Sequence, residues 1–267
     1  MSTATTFQVI DTHAHLDDIE NAAGAIESAR QAGLIAAIAV GTGYESNHAV
    51  LDLAARHRGF VFAALGLHPS ELTKELPRLD SSLQFIEDNL GSAVAIGEVG
   101  LDYHKRVLAL ARKDAQQSVL RDLLAIASKH DRPVSLHTRY AWKDSLALAR
   151  EAGLSKVVFH WFTGFSSTLQ DLIASGHFIS ATPAAEYHEE HRRAVREAPL
   201  DRLLLETDCP VEYGRGEARW RSEPGDIVRS LRAVAAARGL DPATVAAETT
   251  RNAMGLFKLE GIMVGQA

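Results

Sequence analysis

This sequence predicts an α/β fold, a (β/α)8 barrel of the TIM type, and three observations carry that expectation. Eight short apolar runs, rich in Val, Ile, Leu and Phe, recur along the 267 residues. Between them lie stretches with apolar residues every three to four positions, the order expected of repeated βα units around a parallel sheet. No linker, low-complexity tract or charge block interrupts the series, so residues 1–267 read as one domain.

In order, FQVIDTH (7–13) precedes the helical pattern NAAGAIESARQAG (21–33), and IAAIAVGTG (35–43) precedes SNHAVLDLAARH (46–57). FVFAALGLH (60–68) is followed by DSSLQFIEDNL (80–90), SAVAIGEVG (92–100) by ALARKDAQQSVLRDLLAIASKH (109–130), and RPVSLHT (132–138) by YAWKDSLALAREAG (140–153). SKVVFHW (155–161), HFISATP (177–183) and RLLLETD (202–208) complete the strands. Nearly continuous apolar runs suit strands buried on both faces. From Asp241, DPATVAAETTRNAMGLF reads as a further helical pair packed on the barrel, with Asp241 as N-cap and Pro242 at the first helical position.

Composition narrows the function classes. Hydrophobic residues make up 46% and charged residues 23%, which excludes a disordered or fibrous chain. A net charge of −6 argues against coating long stretches of nucleic acid but leaves room for an enzyme that handles one strand end. The lone cysteine, Cys209, excludes an intrachain disulfide and fits a reducing compartment. The start, MSTATTFQVID, has no basic region before an apolar core, and no run approaches a membrane span, so the expected location is cytoplasmic. No obligatory protein partner is indicated.

In such a barrel, chemistry sits at the C-terminal ends of the strands. Those ends are ionisable here: His13 and His15 on the first strand, His68 on the third, Glu98 on the fourth, His137 on the fifth, His160 on the sixth and Asp208 on the eighth. His13 and His15, two residues apart, leave one side of a strand together. Each histidine taken singly reads more readily as a structural residue than as a ligand. Their coincidence at strand ends instead points to a mixed N/O site for two divalent ions, a clamp used for hydrolysis at phosphorus or carbonyl centres. Cys209, as a strand neighbour of Asp208, should point away and pack. The histidines at 48, 57, 104, 130, 177, 188 and 191 share no location and read as surface residues.

DTHAHLDD, GLHPS, GEVGLDYH, PVSLHTR, VVFHWFTG, LLLETDCP and TRNAMGLF together resemble the TatD family of metal-dependent hydrolases, across nearly the whole chain. The resemblance implies that His13, His15 and Asp208 hold one ion, that His137 and His160 hold a second, and that Glu98 bridges them. It implies metal-dependent 3′-5′ exonuclease action on DNA, with RNA as a further substrate, and Asp208 as the residue that orients or deprotonates water. Glu206 either assists or hydrogen-bonds to a neighbouring strand. The ions implied are Mg, Mn or Zn.

Expected substrate contacts are His68, Arg139, Tyr103 and Trp161, with Phe162 as a further stacking ring. His104, Lys105 and Arg106 after Glu98, and Arg215, Arg219 and Arg221 after Asp208, make two rim loops basic. The chain departs from the family pattern at HTRYA, where Tyr140 replaces an acidic residue, at Trp161, and at CPVEYGRG and RSEP, where Ser222 replaces an Asn. These departures keep open a second reading, hydrolysis of a lactone, cyclic amide or aminoacyl-tRNA ester at the same centre.

Overall fold

The computed structural model describes residues 7–259; residues 1–6, part of the stretch read above for a leader, lie outside them. Eight parallel strands run in sequence order: β1 Val9–Ala14, β2 Leu34–Val40, β3 Val61–Leu67, β4 Ala93–Gly100, β5 Val134–His137, β6 Val157–Phe159, β7 Phe178–Ala181 and β8 Leu203–Leu205. Backbone bonds from Asp208 N–H to the His13 carbonyl (2.9 Å) and from His15 N–H to the Cys209 carbonyl (2.8 Å) join the eighth segment to the first. The sheet thus closes into the expected barrel.

The principal helices alternate with the strands: α1 Ala22–Gln31, α2 Tyr44–Arg56, α3 Leu79–Asp88, α4 Lys113–Lys129, α5 Trp142–Glu151, α6 Ser166–Ala174 and α7 Glu189–Glu197, with α8 Ile227–Arg238 and α9 Pro242–Phe257 after the last strand. Asn21 caps α1 through its side chain, accepting the Gly24 N–H at 3.1 Å. The fourth helix begins at Lys113, later than its apolar pattern suggested, because residues 109–112 form a turn that ends the short helix Lys105–Leu108. The C-terminal stretch from Asp241 is one helix rather than a pair; its partner, α8, starts at Ile227. Pro242 does occupy the first turn of α9, but the Asp241 side chain caps nothing.

Two apolar clusters divide the core. Ile10, Ile38, Ala64, Ala95, Val158 and Leu204 fill the lumen and continue into Leu256 and Phe257 of α9. The alternate strand residues, such as Val9, Ala39, Leu65 and Val134, pack outward on the helices. Each large side chain buried this way contributes about 1.5–3 kcal/mol. Hydrogen bonds from Thr250 to the Gln8 carbonyl and from Asn252 to the Leu200 and Leu203 carbonyls hold α9 at the N-terminal ends of β1 and β8. The opposite mouth is left to the functional side chains.

Candidate metal centre

The lumen register does not carry straight through to this mouth. Ile10 faces the lumen and His13 the centre, three residues apart, an odd step that strict alternation would send to opposite faces. The β1–β2 register slips between Asp11 and Ala14 and absorbs it. The same occurs between Ala95 and Glu98, where pairing with β5 slips between Ile96 and Val99. Irregularities of this kind re-aim side chains next to sites. Beside Glu98, Gly66 is required by close approach: a Cβ there would lie 2.3 Å from the Glu98 carbonyl oxygen.

Glu98 is the hub. One carboxylate oxygen lies 3.5 Å from His13 Nε2 and 3.4 Å from His15 Nε2; the other lies 2.8 Å from His137 Nδ1, 2.9 Å from His160 Nε2 and 3.6 Å from His68 Nε2. Asp208 faces the first pair, 3.7 Å from His13 and 3.2 Å from His15. Its backbone, at φ 51°, holds the left-handed conformation uncommon for a residue with a side chain. The six expected ligands therefore lie together at this mouth: donor atoms of His13, His15 and Asp208 cluster, those of His137 cluster with Glu98 and His68, and those of His160 with His13 and Glu206.

Behind them stands an outer layer. Ser135 Oγ lies 2.9 Å from His13 Nδ1, Asp102 Oδ2 3.2 Å from His137 Nε2, and Glu206 Oε1 3.4 Å from His160 Nδ1. Asp102 went unrecognised in the sequence because a lone acidic residue past a strand end carries no period; only the folded loop aims it back at His137. Its other oxygen accepts the His104 N–H at 2.7 Å, and Gln116 holds its backbone N–H. Glu206 is wholly buried, accepts the Trp161 N–H at 2.9 Å, and leaves its second oxygen without a partner.

Asp11, the first residue of DTHAH, is a seam clamp. Its carboxyl accepts the Thr207 N–H (3.0 Å), the Thr207 hydroxyl (2.5 Å) and the His13 N–H (3.2 Å), tying together the backbone beneath His13 and Asp208.

Charge balance defines what the centre accommodates. Glu98, Asp102, Glu206 and Asp208 are all buried, and none pairs with a lysine or arginine among the described residues. Burial alone would raise the Glu98 carboxyl, but the imidazoles of His68, His160 and His13 outweigh it and hold it well below the usual range. Burial opposes a proton on His15, yet Asp208 and Glu98 push that imidazole up to about 9. His160 is likewise raised against its burial by Glu98 and Glu206. Without cations, imidazolium protons must balance the carboxylates. His13 Nε2, buried and without a hydrogen-bond partner, faces the same space. Buried carboxylates lacking a cationic side chain, with an orphaned imidazole nitrogen among them, fit divalent metal ions.

Expected substrate contacts fare unevenly. His68 Nδ1 accepts the Ser70 N–H at 3.1 Å and so caps the turn Pro69–Glu71. Because a backbone N–H only donates, the neutral ring carries its proton on Nε2, the atom that faces Glu98. His68 is thus a donor aimed into the centre. Arg139 is exposed beside Tyr140. Tyr103 is half-buried, its hydroxyl donating to Asp144 and accepting from Gln117. Trp161, at φ 42°, is half-buried and packs against Tyr213, while Phe162 is fully buried and offers no free face. Arg219 pairs with Glu212 in the hairpin formed by Glu212–Tyr213 and Trp220–Arg221.

Cys209 is buried in the core, as expected. His177 and His191 are fully buried, which corrects their reading as surface residues: one packs beside Phe159 beneath β7, and the other bonds Thr182 and the Phe162 carbonyl. No helix among the described residues is long and apolar enough to cross a membrane.

Comparison with known proteins agrees with this architecture. A family profile described as TatD related DNase matches residues 10–258. Deoxyribonuclease TATDN3 of Homo sapiens is 32% identical over 260 residues, covering 93% of this chain and 94% of that protein. The 3′-5′ ssDNA/RNA exonuclease TatD of Erwinia tasmaniensis is 30% identical over 243 residues, covering 88% and 92%. The crystal structure of YjjV, a TatD homolog from Escherichia coli K12, superposes with a TM-score of 0.85 at 28% identity, over 94% of this chain and 98% of that one. With the match running from β1 to the end of α9, the chain belongs to the TatD related DNase family.

Proposed function

We propose that this protein is a divalent-metal-dependent nuclease that hydrolyses phosphodiester bonds from the 3′ end of DNA, with RNA as a further substrate. The observation that carries the reading is the buried carboxylate hub, Glu98, ringed by five imidazoles with no cationic side chain to neutralise it. His13, His15 and Asp208 would hold one ion, His137 and His160 the second, and Glu98 both. Imidazole-rich ligation favours Zn or Mn over Mg on ligand softness. When bound, such ions lower the pKa of a water and polarise the scissile phosphoryl group.

The chain's own residues do the rest. Asp208 orients the attacking water and takes its proton, within reach of His15 at 3.2 Å. His68, with its proton on Nε2, donates to an anionic oxygen at the mouth. Arg139 neutralises a phosphate from the exposed rim. Asp102 holds the His137 ring in place through a hydrogen bond, and the Glu206 carboxylate faces the His160 ring at 3.4 Å.

The test uses 3′- and 5′-labelled single-stranded DNA with Mg²⁺, Mn²⁺ or EDTA, beside a His13→Ala/His15→Ala variant. Stepwise shortening from the 3′ end, stopped by chelation and by the double substitution, is the expected result. DNA that survives every metal-loaded condition overturns the reading.

A further inference from the structure

Outside the centre, the rim carries an aromatic strip that the mechanism does not use. Tyr140 follows His137 by three residues, and Phe165 follows His160 by five, so both rise from loops next to the centre. They are among the few large apolar side chains left exposed, at 57% and 64%. Trp142 connects them, its ring 6.0 Å from Tyr140 and 5.8 Å from Phe165 between centroids. Inward, Trp142 rests on buried Phe162, and Gly164 permits this packing, since a Cβ there would lie 2.5 Å from the Phe162 ring. On the far side His104 stacks toward Tyr140 at 6.2 Å. The strip is thus continuous, anchored to the core at its middle and open at its ends.

Packing does not explain it. Tyr140 sits at φ 58°, a backbone conformation costly for a bulky residue, and its ring is not repaid by burial. Charge says what it suits. Arg139 lies 5.8 Å from the Tyr140 ring, Lys105 and Arg106 follow His104, and none of the three forms an ion pair among the described residues. Unpaired cations beside exposed rings, on a protein of net charge −6, match a polyanion with flat unpaired bases better than an apolar protein surface.

We infer that Tyr140, Trp142 and Phe165 form a stacking track for the bases of a single strand, with Arg139 and the Lys105–Arg106 pair on its phosphates. The inference rests on the nuclease reading and deepens it. The track grips unpaired nucleotides outside the scissile position, so it selects single strands over duplex, whose bases present no free faces.

The test is the affinity of the full-length chain for a fluorescent twelve-nucleotide oligothymidylate in EDTA, read by anisotropy. A base-free phosphodiester spacer of the same length is the second probe. Tyr140→Ala and Phe165→Ala should each weaken oligothymidylate binding roughly five- to hundred-fold. Tyr140→Phe, which keeps the ring, should restore most of it, and the weaker binding of the spacer should not distinguish these proteins. Oligothymidylate affinity that ignores the substitutions, or a loss shared equally by the spacer, overturns the track. So does a shift of the Ala variants' sedimenting mass, which would mark the strip as a contact between copies. Hydrolysis of bis(4-nitrophenyl) phosphate by the wild type in Mn²⁺ separates the two readings. Its absence with intact oligothymidylate binding sinks the nuclease reading, whereas its presence with substitution-blind binding sinks only the track.

Discussion

Asp102→Asn is the most informative single change, because it alters one proton and almost no volume. In the wild type, Asp102 Oδ2 lies 3.2 Å from His137 Nε2, while Oδ1 accepts the His104 N–H at 2.7 Å. An ionised carboxylate only accepts, so Asp102 fixes a proton on Nε2. Nδ1, which donates to Glu98 at 2.8 Å in the metal-free centre, is the nitrogen whose lone pair would hold an ion once that proton leaves. An asparagine has one accepting end and one donating end. If its amide nitrogen faces His137, the ring must move its proton to Nδ1 and lose the lone pair that would hold an ion. If the amide is turned the other way, it confronts the His104 N–H. Either arrangement is frustrated. Disturbing an outer partner of a metal-binding histidine typically costs ten- to hundred-fold in metal affinity, about 1.4–2.7 kcal/mol. Calorimetric titration of the metal-free protein with Mn²⁺ or Zn²⁺ measures it directly. We expect one of two binding steps to weaken by that factor while the circular dichroism spectrum is retained. Unchanged affinity in a folded variant would refute the argument that Asp102 sets the His137 tautomer.

Three further outcomes follow from the same geometry. Glu98→Ala removes the carboxylate proposed to join two ions and should abolish turnover while leaving the fold intact; substantial residual activity at full metal content contradicts the proposed two-ion arrangement. Asp11→Ala strips the acceptor from three buried donors at the β8–β1 seam, at about 1–3 kcal/mol for each polar group left unpaired. A urea midpoint within error of wild type would show that the seam does not depend on this clamp. His177 is fully buried with neither ring nitrogen hydrogen-bonded, and burial, aided by the nearby charge of Arg150, lowers it to about 4 from 6.5. The unfolded chain therefore takes up this proton first as pH falls. The contribution of His177 to stability is unaffected above pH 6.5 and declines between 6.5 and 4, by about 3 kcal/mol. His177→Leu, compared with wild type in EDTA at pH 7 and 5, should flatten that part of the decline; an identical slope in both proteins rules it out.

The barrel was legible because its signals are local. Each strand is a short apolar run, each principal helix through α5 follows the pattern that announced it, and the ionisable residues fall where runs end. His13 and His15 could be paired from spacing alone, since residues two apart share a strand face. The same rule fails one step further: the lumen-to-centre steps from Ile10 to His13 and from Ala95 to Glu98 are odd, and register slips in the sheet supply the missing turn. Such slips depend on how neighbouring strands pair, which no single run encodes.

Burial and partnership were decided by the tertiary structure alone. His177 and His191 look like helix-end or loop histidines in the sequence yet are sealed in the core, because burial depends on which elements cover them. Tyr103, Trp161 and Phe162 looked like candidates for stacking a base and are engaged by Asp144, Tyr213 and the core, whereas Tyr140 and Phe165 remain open. Asp102 became visible only once its loop folded back to His137. Sequence by itself determined the barrel and the donor atoms at its mouth, because residue type and period are local properties. Which ring nitrogen faces Glu98, which carboxylates stand behind the histidines, and which aromatics stay free were fixed by contacts between distant segments.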